Sequence, residues 1–146
     1  MKVSLNRIND NYLFEAKGAS GVSVLIDNKT DEPLPNGQAG SKGASPMELL
    51  LMGVGGCSAI DVVSILKKQR QEITSYKMEV EGKRKEVRDA KPFEAIHVTI
   101  YLEGKIDEAK AIRAAQLSFE KYCSVSITLE ASVKITYGIV LNGKKI

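Results

Sequence analysis

The chain has 146 residues, a formal net charge of +3, two cysteines, one histidine and no tryptophan. Its length predicts a single domain over residues 1–146 that can bury its own core. The weak basic excess and the absence of tryptophan argue against nucleic-acid binding, which needs a basic face with stacking rings. One histidine and two widely separated cysteines argue against a metal site or a Ser-His-Asp triad. The polar N-terminus lacks the features of a signal peptide, so a cytoplasmic protein is expected.

The N-terminal part predicts three short strands followed by a long loop. Residues 2–8 and 11–17 alternate between apolar and polar side chains around an Asn-Asp turn, which is typical of a β-hairpin. Residues 22–26 alternate in the same way and predict a third strand. The stretch 27–44 has no periodicity and contains several prolines and glycines. A loop of that length in a compact domain is usually functional or disordered.

The segment Ser45–Arg70 predicts a long buried helix. It opens with an S-x-x-E capping box completed by Glu48, and its proline suits the first helical position. The uncharged part, residues 49–60, is shorter than the roughly 20 residues that span a bilayer, so no membrane association is expected. Three glycines directly precede Cys57. Glycine is unfavourable inside a helix, so we expect either the close approach of another backbone or a local break in the helix.

The rest of the chain predicts two long strands, a second helix and a final strand. Residues 73–85 and 93–103 alternate on either side of a charged turn. An amphipathic helix is predicted over residues 107–121, with its first aspartate as the cap. Residues 127–133 are ambiguous, with a short helix as one interpretation, and residues 133–141 alternate as a last strand. The order β-β-β-α-β-β-α-β favours antiparallel pairing and an α+β fold.

The two cysteines are the candidates for chemistry. Cys57 lies in the middle of the long helix and Cys123 follows the second helix. Two thiols that meet reversibly in a reducing compartment indicate redox catalysis, in which one is oxidised to a sulfenic acid and the other converts it to a disulfide. The alternative is two unrelated core cysteines, which residue chemistry alone favours because free cysteine is among the most buried residue types.

A nucleophilic Cys57 needs a neighbour that stabilises its thiolate. The candidate cations are Lys17, Lys42, Arg113 and Lys121. Asp61 shares a helical face with Cys57 and would either raise the thiol pKa or orient a cation, and a plain surface charge is an equally good interpretation. Glu48 lies nine residues before Cys57, on the opposite side of a straight helix, so a cap is its better interpretation. His97 is more typical of a surface residue than of a base.

The segment SPMELLLMGVGGCSAIDVVSILKK and the later KYCSVS resemble the OsmC/Ohr family, most closely its YhfA-like branch, over most of the chain. The resemblance implies an OsmC-like α+β fold in which antiparallel sheets wrap around long central helices of an intertwined homodimer. It also implies thiol-dependent reduction of organic hydroperoxides at an apolar pocket in the dimer interface. Cys57 would be the peroxidatic residue and Cys123 the resolving one, and the glycines before Cys57 would mark where a partner helix from the second subunit crosses close to it. An external dithiol such as a lipoyl group or dithiothreitol would restore them, without a bound cofactor.

Two positions depart from the family pattern. The glutamate that directly follows the helix proline in the family is Met47 here, and Glu48 comes one place later. The family arginine that pairs with it in the N-terminal strands has no clear counterpart, because Arg7 lies early and Lys17 is only a point-charge substitute. The alternative hypothesis is therefore a non-enzymatic dimer that binds a small apolar ligand or senses thiol stress. A third is a structural module with inert cysteines.

Overall fold

The structure, a computed structural model, describes residues 1–28 and 41–146. Most of the predicted loop over residues 27–44 thus lies outside the described residues. The chain forms two compact units, Met1–Leu50 and Leu51–Ile146, with one long helix shared between them. The single domain expected over the whole chain stays a prediction.

The first unit contains a three-stranded antiparallel sheet. Its strands, in spatial order, are β1 (Ser4–Arg7), β2 (Phe14–Lys17) and β3 (Ser23–Ile26). The predicted hairpin is confirmed, and its turn is held by Asn9, whose side-chain oxygen accepts the backbone N–H of Asn11 at 3.0 Å and of Leu13 at 3.1 Å. Such local side-chain bonds explain why asparagine favours turns. Arg7 donates to the carbonyl of Asn11 at 2.8 Å, which commits its guanidinium to the same turn.

The long helix α1 (Pro46–Lys68) begins as predicted. The Glu48 carboxylate accepts the backbone N–H of Ser45 at 2.7 Å, and the Ser45 hydroxyl accepts that of Glu48 at 3.3 Å, so the capping box is formed in both directions. By length and composition alone α1 could cross a membrane. It also carries fully buried core side chains, as the core helix of a globular unit does: Val54, Val62 and Leu66.

The second unit combines α1 with a four-stranded sheet and two short helices. The strands, in spatial order, are β4 (Glu72–Arg84), β5 (Phe93–Lys105), β6 (Lys134–Leu141) and β7 (Lys144–Lys145). The connection from β5 to β6 contains α2 (Glu108–Leu117), a π-helical turn (Ser118–Tyr122) and α3 (Ser124–Leu129). The strands β4 and β5 form a long antiparallel hairpin, whereas β6 is parallel to β5. Parallel pairing requires such a crossover.

The α+β prediction with antiparallel sheets is confirmed, with three differences in detail. The predicted helix over residues 107–121 is capped by Asp107, whose carboxylate accepts the backbone N–H of Lys110 at 3.0 Å, but it changes to a π-helical turn at Ser118. The ambiguous segment 127–133 contains the end of α3, which begins earlier, at Ser124. The parallel pairing of β6 and the two-residue strand β7 were not predicted.

The glycine at position 55 lets α1 approach the sheet closely. A Cβ atom at Gly55 would lie 3.0 Å from Cγ2 of Val80 and 3.5 Å from Sδ of Met78, both on β4. The close neighbour expected at the glycines is thus, at Gly55, a strand of the same chain and not a partner helix. Gly56 has no atom within 4 Å of its would-be Cβ among the described residues.

We expect Gly82→Ala to destabilise the second unit. A Cβ atom there would overlap the buried ring of Phe93, and relieving that overlap in a packed core costs about 1–3 kcal/mol. Urea unfolding followed by circular dichroism measures the change. The matched variant Gly18→Ala, where the added carbon meets nothing within 4 Å, should stay within about 0.5 kcal/mol of the parent. Equal unfolding midpoints for the two variants would contradict this packing.

Candidate active site

The fold brings the side chains of Cys57 and Cys123 together. Cys57 lies in the middle of α1 and is partly exposed, whereas Cys123 lies between the π-helical turn and α3 with none of its surface exposed. Both are free thiols. They are close enough for Cys57 to raise the pKa of Cys123. Two thiols 66 positions apart in the chain therefore share one site.

The chain around Cys123 is shaped by two short turns. The backbone N–H of Cys123 donates to the carbonyl of Ser118, five residues earlier, at 2.8 Å, which closes the π-helical turn. Cys123 then caps α3, with its sulfur accepting the backbone N–H of Ser126 at 3.4 Å and the Ser126 hydroxyl at 3.0 Å. These contacts hold the sulfur at the junction of the two turns.

A small residue on α1 allows α3 to lie beside it. A Cβ atom at Gly53 would lie 3.6 Å from Cγ1 of Val125, which is an ordinary van der Waals distance. Gly53 precedes Cys57 by four residues, about one helical turn. The segment α3 therefore lies beside α1 next to the two thiols, with room for a methyl group at position 53.

A hydrogen bond on the other side of Cys57 ties α1 to the π-helical turn. The buried hydroxyl of Ser118 lies 3.2 Å from Oδ2 of Asp61 and 3.5 Å from the carbonyl of Ser58. Asp61 follows Cys57 by one turn, so this bond fixes the register of α1 against the segment that leads to Cys123. Asp61 is thus more than a plain surface charge.

The environment of Cys123 favours its neutral thiol. Burial raises the pKa of Cys123 most, the two hydrogen bonds from Ser126 lower it, and Cys57 raises it again, with a net increase. Among the described residues, no lysine or arginine is one of the groups that shift this pKa. The thiolate of Cys123 therefore depends on hydrogen bonds and not on an ion pair.

The predicted supporting residues lie in several places. Lys17 pairs with Glu15 at 2.9 Å on its own strand, and Glu48 caps α1. The other contacts recorded for the candidate cations also go to groups other than the cysteines: Lys42 through its backbone N–H to Asp27, Arg113 to Gln116, and Lys121 over the ring of Tyr122. His97 lies on the exposed face of the sheet, 2.8 Å from the hydroxyl of Thr136.

Sequence reasoning missed the two serines that hold the site, Ser118 and Ser126. Ser118 is a fully buried polar residue on the second predicted helix, and a single serine between Leu117 and Phe119 gave little sign of its burial. Ser126 was detectable in principle, because C-x-x-S places a serine at the third position of a helix that a cysteine caps. Because the prediction over residues 127–133 was ambiguous, the start of α3 at Ser124 was not identified.

A groove of about 540 Å³ borders the site. It begins at Asp61, one turn from Cys57, and reaches Tyr122, the neighbour of Cys123. Its other lining residues are Ser64, Ile65, Lys68, Gln69 and Leu117. The side-chain oxygen of Gln69 is buried and has no hydrogen-bond partner among the described residues. Within that part of the chain, no three or more His, Cys, Asp and Glu side chains are arranged to hold a metal ion.

Comparison with known proteins gives relatives over nearly the whole chain. The profile of the OsmC-like protein family matches residues 38–138. Protein YhfA of Escherichia coli strain K12 is 41% identical over 125 residues, which is 85% of this chain and 86% of that protein. A crystal structure of a hypothetical protein from Aquifex aeolicus is 34% identical, covers 97% of this chain and 96% of the other, and has a TM-score of 0.76.

A more distant structure has the same fold. OhrB of Bacillus subtilis, named an organic hydroperoxide resistance protein, is 22% identical over 94% of this chain and 96% of its own, with a TM-score of 0.58. The resemblance seen in the cysteine helix and the KYCSVS segment therefore extends to the fold. This chain belongs to the OsmC-like protein family.

Proposed function

We propose that this chain reduces organic hydroperoxides with its own two thiols, with Cys57 as the peroxidatic residue and Cys123 as the resolving one. The observation that carries the proposal is the proximity of the two thiols, which is close enough for Cys57 to raise the pKa of Cys123, together with the greater exposure of Cys57. An oxidant that arrives from solvent meets Cys57 first. OhrB, which has the same fold, is named an organic hydroperoxide resistance protein, and this name agrees with the proposed substrate class.

The reaction proceeds in two steps at sulfur. The Cys57 thiolate attacks the terminal oxygen of the hydroperoxide and the O–O bond breaks, which gives a sulfenic acid and an alkoxide that takes up a proton to form the alcohol. The Cys123 sulfur then attacks the Cys57 sulfur. A disulfide forms, and the hydroxide that leaves is protonated to water. An external dithiol, such as a lipoyl group or dithiothreitol, restores both thiols by exchange.

We assign the organic part of the hydroperoxide to the groove between Asp61 and Tyr122. Ile65, Leu117 and the ring of Tyr122 give it apolar surface, and its near end lies one helical turn from Cys57. Small apolar groups gain free energy by leaving water for such a surface. The assignment therefore predicts that the protein prefers organic over inorganic peroxides.

Three side chains are proposed to support the cysteine pair. Asp61 does so through its bond to Ser118, which orders α1 beside Cys123. Glu48 does so by capping the helix that carries Cys57. Lys17 remains the proposed replacement for the family arginine as a point charge.

We also propose that the chain acts as a homodimer through α1, in the cytoplasm, where thiols are kept reduced. The helix exposes an apolar stripe at a spacing of four residues, with Met52 59% and Ile60 72% exposed around the open position at Gly56. A second copy laid along this stripe would bury it and would lie beside Cys57. The second copy would lie beside Cys57 because Gly56, in the middle of the stripe, directly precedes that cysteine.

A second candidate function is binding of a small apolar ligand or sensing of thiol stress without turnover. It is favoured by the position of the family glutamate, which is Met47 here, and by the lack of a cation among the described groups that shift the Cys123 pKa. In this case mild peroxide would leave the protein unchanged, or would oxidise it once, and a dithiol would not sustain consumption of hydroperoxide.

We expect the protein to consume cumene hydroperoxide when dithiothreitol or dihydrolipoamide is present. Cys57→Ser should reduce the rate to background, because it removes the attacking sulfur. Cys123→Ser should still react once and should accumulate a sulfenic acid that dimedone traps, as measured by mass spectrometry. Activity that survives Cys57→Ser would exclude the mechanism.

We expect N-ethylmaleimide to label Cys57 of the native protein faster than Cys123, because only Cys57 has exposed surface. Mass spectrometry of peptides after short labelling times gives the two rates. Denatured protein is the control, in which both cysteines should label alike. Inert cysteines, as the third hypothesis has them, would both remain unlabelled until the protein unfolds.

We expect Ile60→Lys to convert the dimer to monomer, because a charge would replace the most exposed apolar side chain of the α1 stripe. Sedimentation velocity measures the mass. Ile112→Lys is the control, since it changes another exposed isoleucine, on α2 and away from the stripe. A parent protein that sediments as a monomer at micromolar concentration would rule out this dimer.

A further inference from the structure

We infer that Ser126 is a positioning residue for the resolving step, because its hydroxyl directs the Cys123 sulfur and stabilises the thiolate that attacks Cys57. The inference rests on the proposed function and adds a residue to it. It goes beyond the cysteine pair, since nothing in the two-thiol chemistry itself requires a serine three residues after the second cysteine.

The geometry that carries the inference is a pair of hydrogen bonds to one sulfur. The hydroxyl oxygen of Ser126 lies 3.0 Å from the Cys123 sulfur and its backbone nitrogen lies at 3.4 Å. Ser126 is only 3% exposed and Cys123 is not exposed at all, so water does not replace either donor. The argument concerns these two donors and not the dipole of α3, which has only six residues.

A buried resolving thiol needs such a donor. Burial and the neighbouring Cys57 both raise the pKa of Cys123, and Ser126 is the one group among the described residues that lowers it. Charged and titratable side chains lie on the surrounding elements, among them Asp61 on α1, Glu108, Lys110 and Arg113 on α2, Glu120, Lys121 and Tyr122 on the π-helical turn, Glu130 after α3, and Lys134 and Tyr137 on β6. None of these contributes to the shift.

The hydroxyl acts on a defined part of the reaction. The Cys123 thiol loses its proton, the thiolate attacks the sulfur of the Cys57 sulfenic acid, the S–O bond breaks, and the hydroxide leaves with that proton as water. A hydroxyl donor to the thiolate is a charge-assisted hydrogen bond and is stronger than the same bond to the neutral thiol. The bond therefore increases the thiolate fraction and directs the sulfur at the same time.

Ser126→Ala removes one of the two donors and keeps the other. The backbone N–H stays, whereas the hydroxyl is lost, so the cap of α3 is only weakened. Ser126→Thr and Ser126→Val form a second pair of similar size, in which threonine keeps the hydroxyl and valine lacks it. Ser124→Ala is the matched control, because Ser124 is an exposed serine in the first turn of the same helix.

The first measurement needs no oxidant. In the Cys57→Ser background the one remaining thiol is Cys123, and the ¹³C shift of its Cβ reports its titration directly. We expect Ser126→Ala and Ser126→Val to raise the midpoint by about one pH unit, the size of one hydrogen bond to a charged group. Ser126→Thr and Ser124→Ala should keep the parent midpoint. Equal midpoints in all variants would overturn the inference.

The second measurement follows the reaction in protein with both cysteines. After one equivalent of cumene hydroperoxide, the disulfide should form about threefold more slowly at neutral pH in Ser126→Ala. A tenfold smaller thiolate fraction is partly offset by the greater nucleophilicity of a more basic thiolate. The deficit should disappear above both midpoints, and dimedone should trap more sulfenic acid at neutral pH. A loss of folded structure alone would not move the pH profile in this way.

The outcomes separate the two proposals. Sulfenic acid in Cys123→Ser, together with equal disulfide rates at every pH in Ser126→Ala, Ser126→Thr and the parent, would overturn the role of Ser126 and leave the proposed function intact. No sulfenic acid in Cys123→Ser would overturn the proposed function, and the inference with it. A slow step in Ser126→Ala that Ser126→Thr restores supports both.

Discussion

The close approach of α1 to strand β4 is the constraint on which the position of Cys57 depends. It is possible because Gly55 has no side chain where Val80 and Met78 press against the helix. A larger residue would lift α1 from the sheet and carry Cys57, two positions later, away from Cys123. The helical cost of the glycine, about 1 kcal/mol relative to alanine, is thus offset by a packing contact next to the site.

Burial gives the two thiols different chemical roles. Cys123 has no exposed surface and its pKa is raised, so at neutral pH it rests as a thiol that reacts with little except its neighbour. Cys57 is partly exposed to solvent, and the groove is lined by Asp61, one helical turn away. In the proposed scheme, the accessible sulfur meets molecules from solvent, and the enclosed sulfur exchanges only with the accessible one. The scheme uses no metal or bound cofactor.

Much of the fold could be predicted, because its signals are local. The capping box of Ser45 and Glu48 and the alternating strands β4 and β5 depend on residues a few positions apart. The parallel partner of β5, the π-helical turn and the role of Ser126 could not, because they depend on contacts between segments or on a helix start that composition left ambiguous. The pairing of Cys57 with Cys123 was an open alternative in the sequence for the same reason.

The parallel pairing of β5 and β6 has a consequence for how the site is assembled. The β4–β5 hairpin and α1 are close in the chain, but the crossover that carries Cys123 is fixed only when the C-terminal strand β6 docks against β5. In the order of synthesis, Cys57 and the β4–β5 hairpin therefore come before both Cys123 and the strand that completes its crossover. Cys57 gains a second thiol beside it only when that later part of the chain is in place.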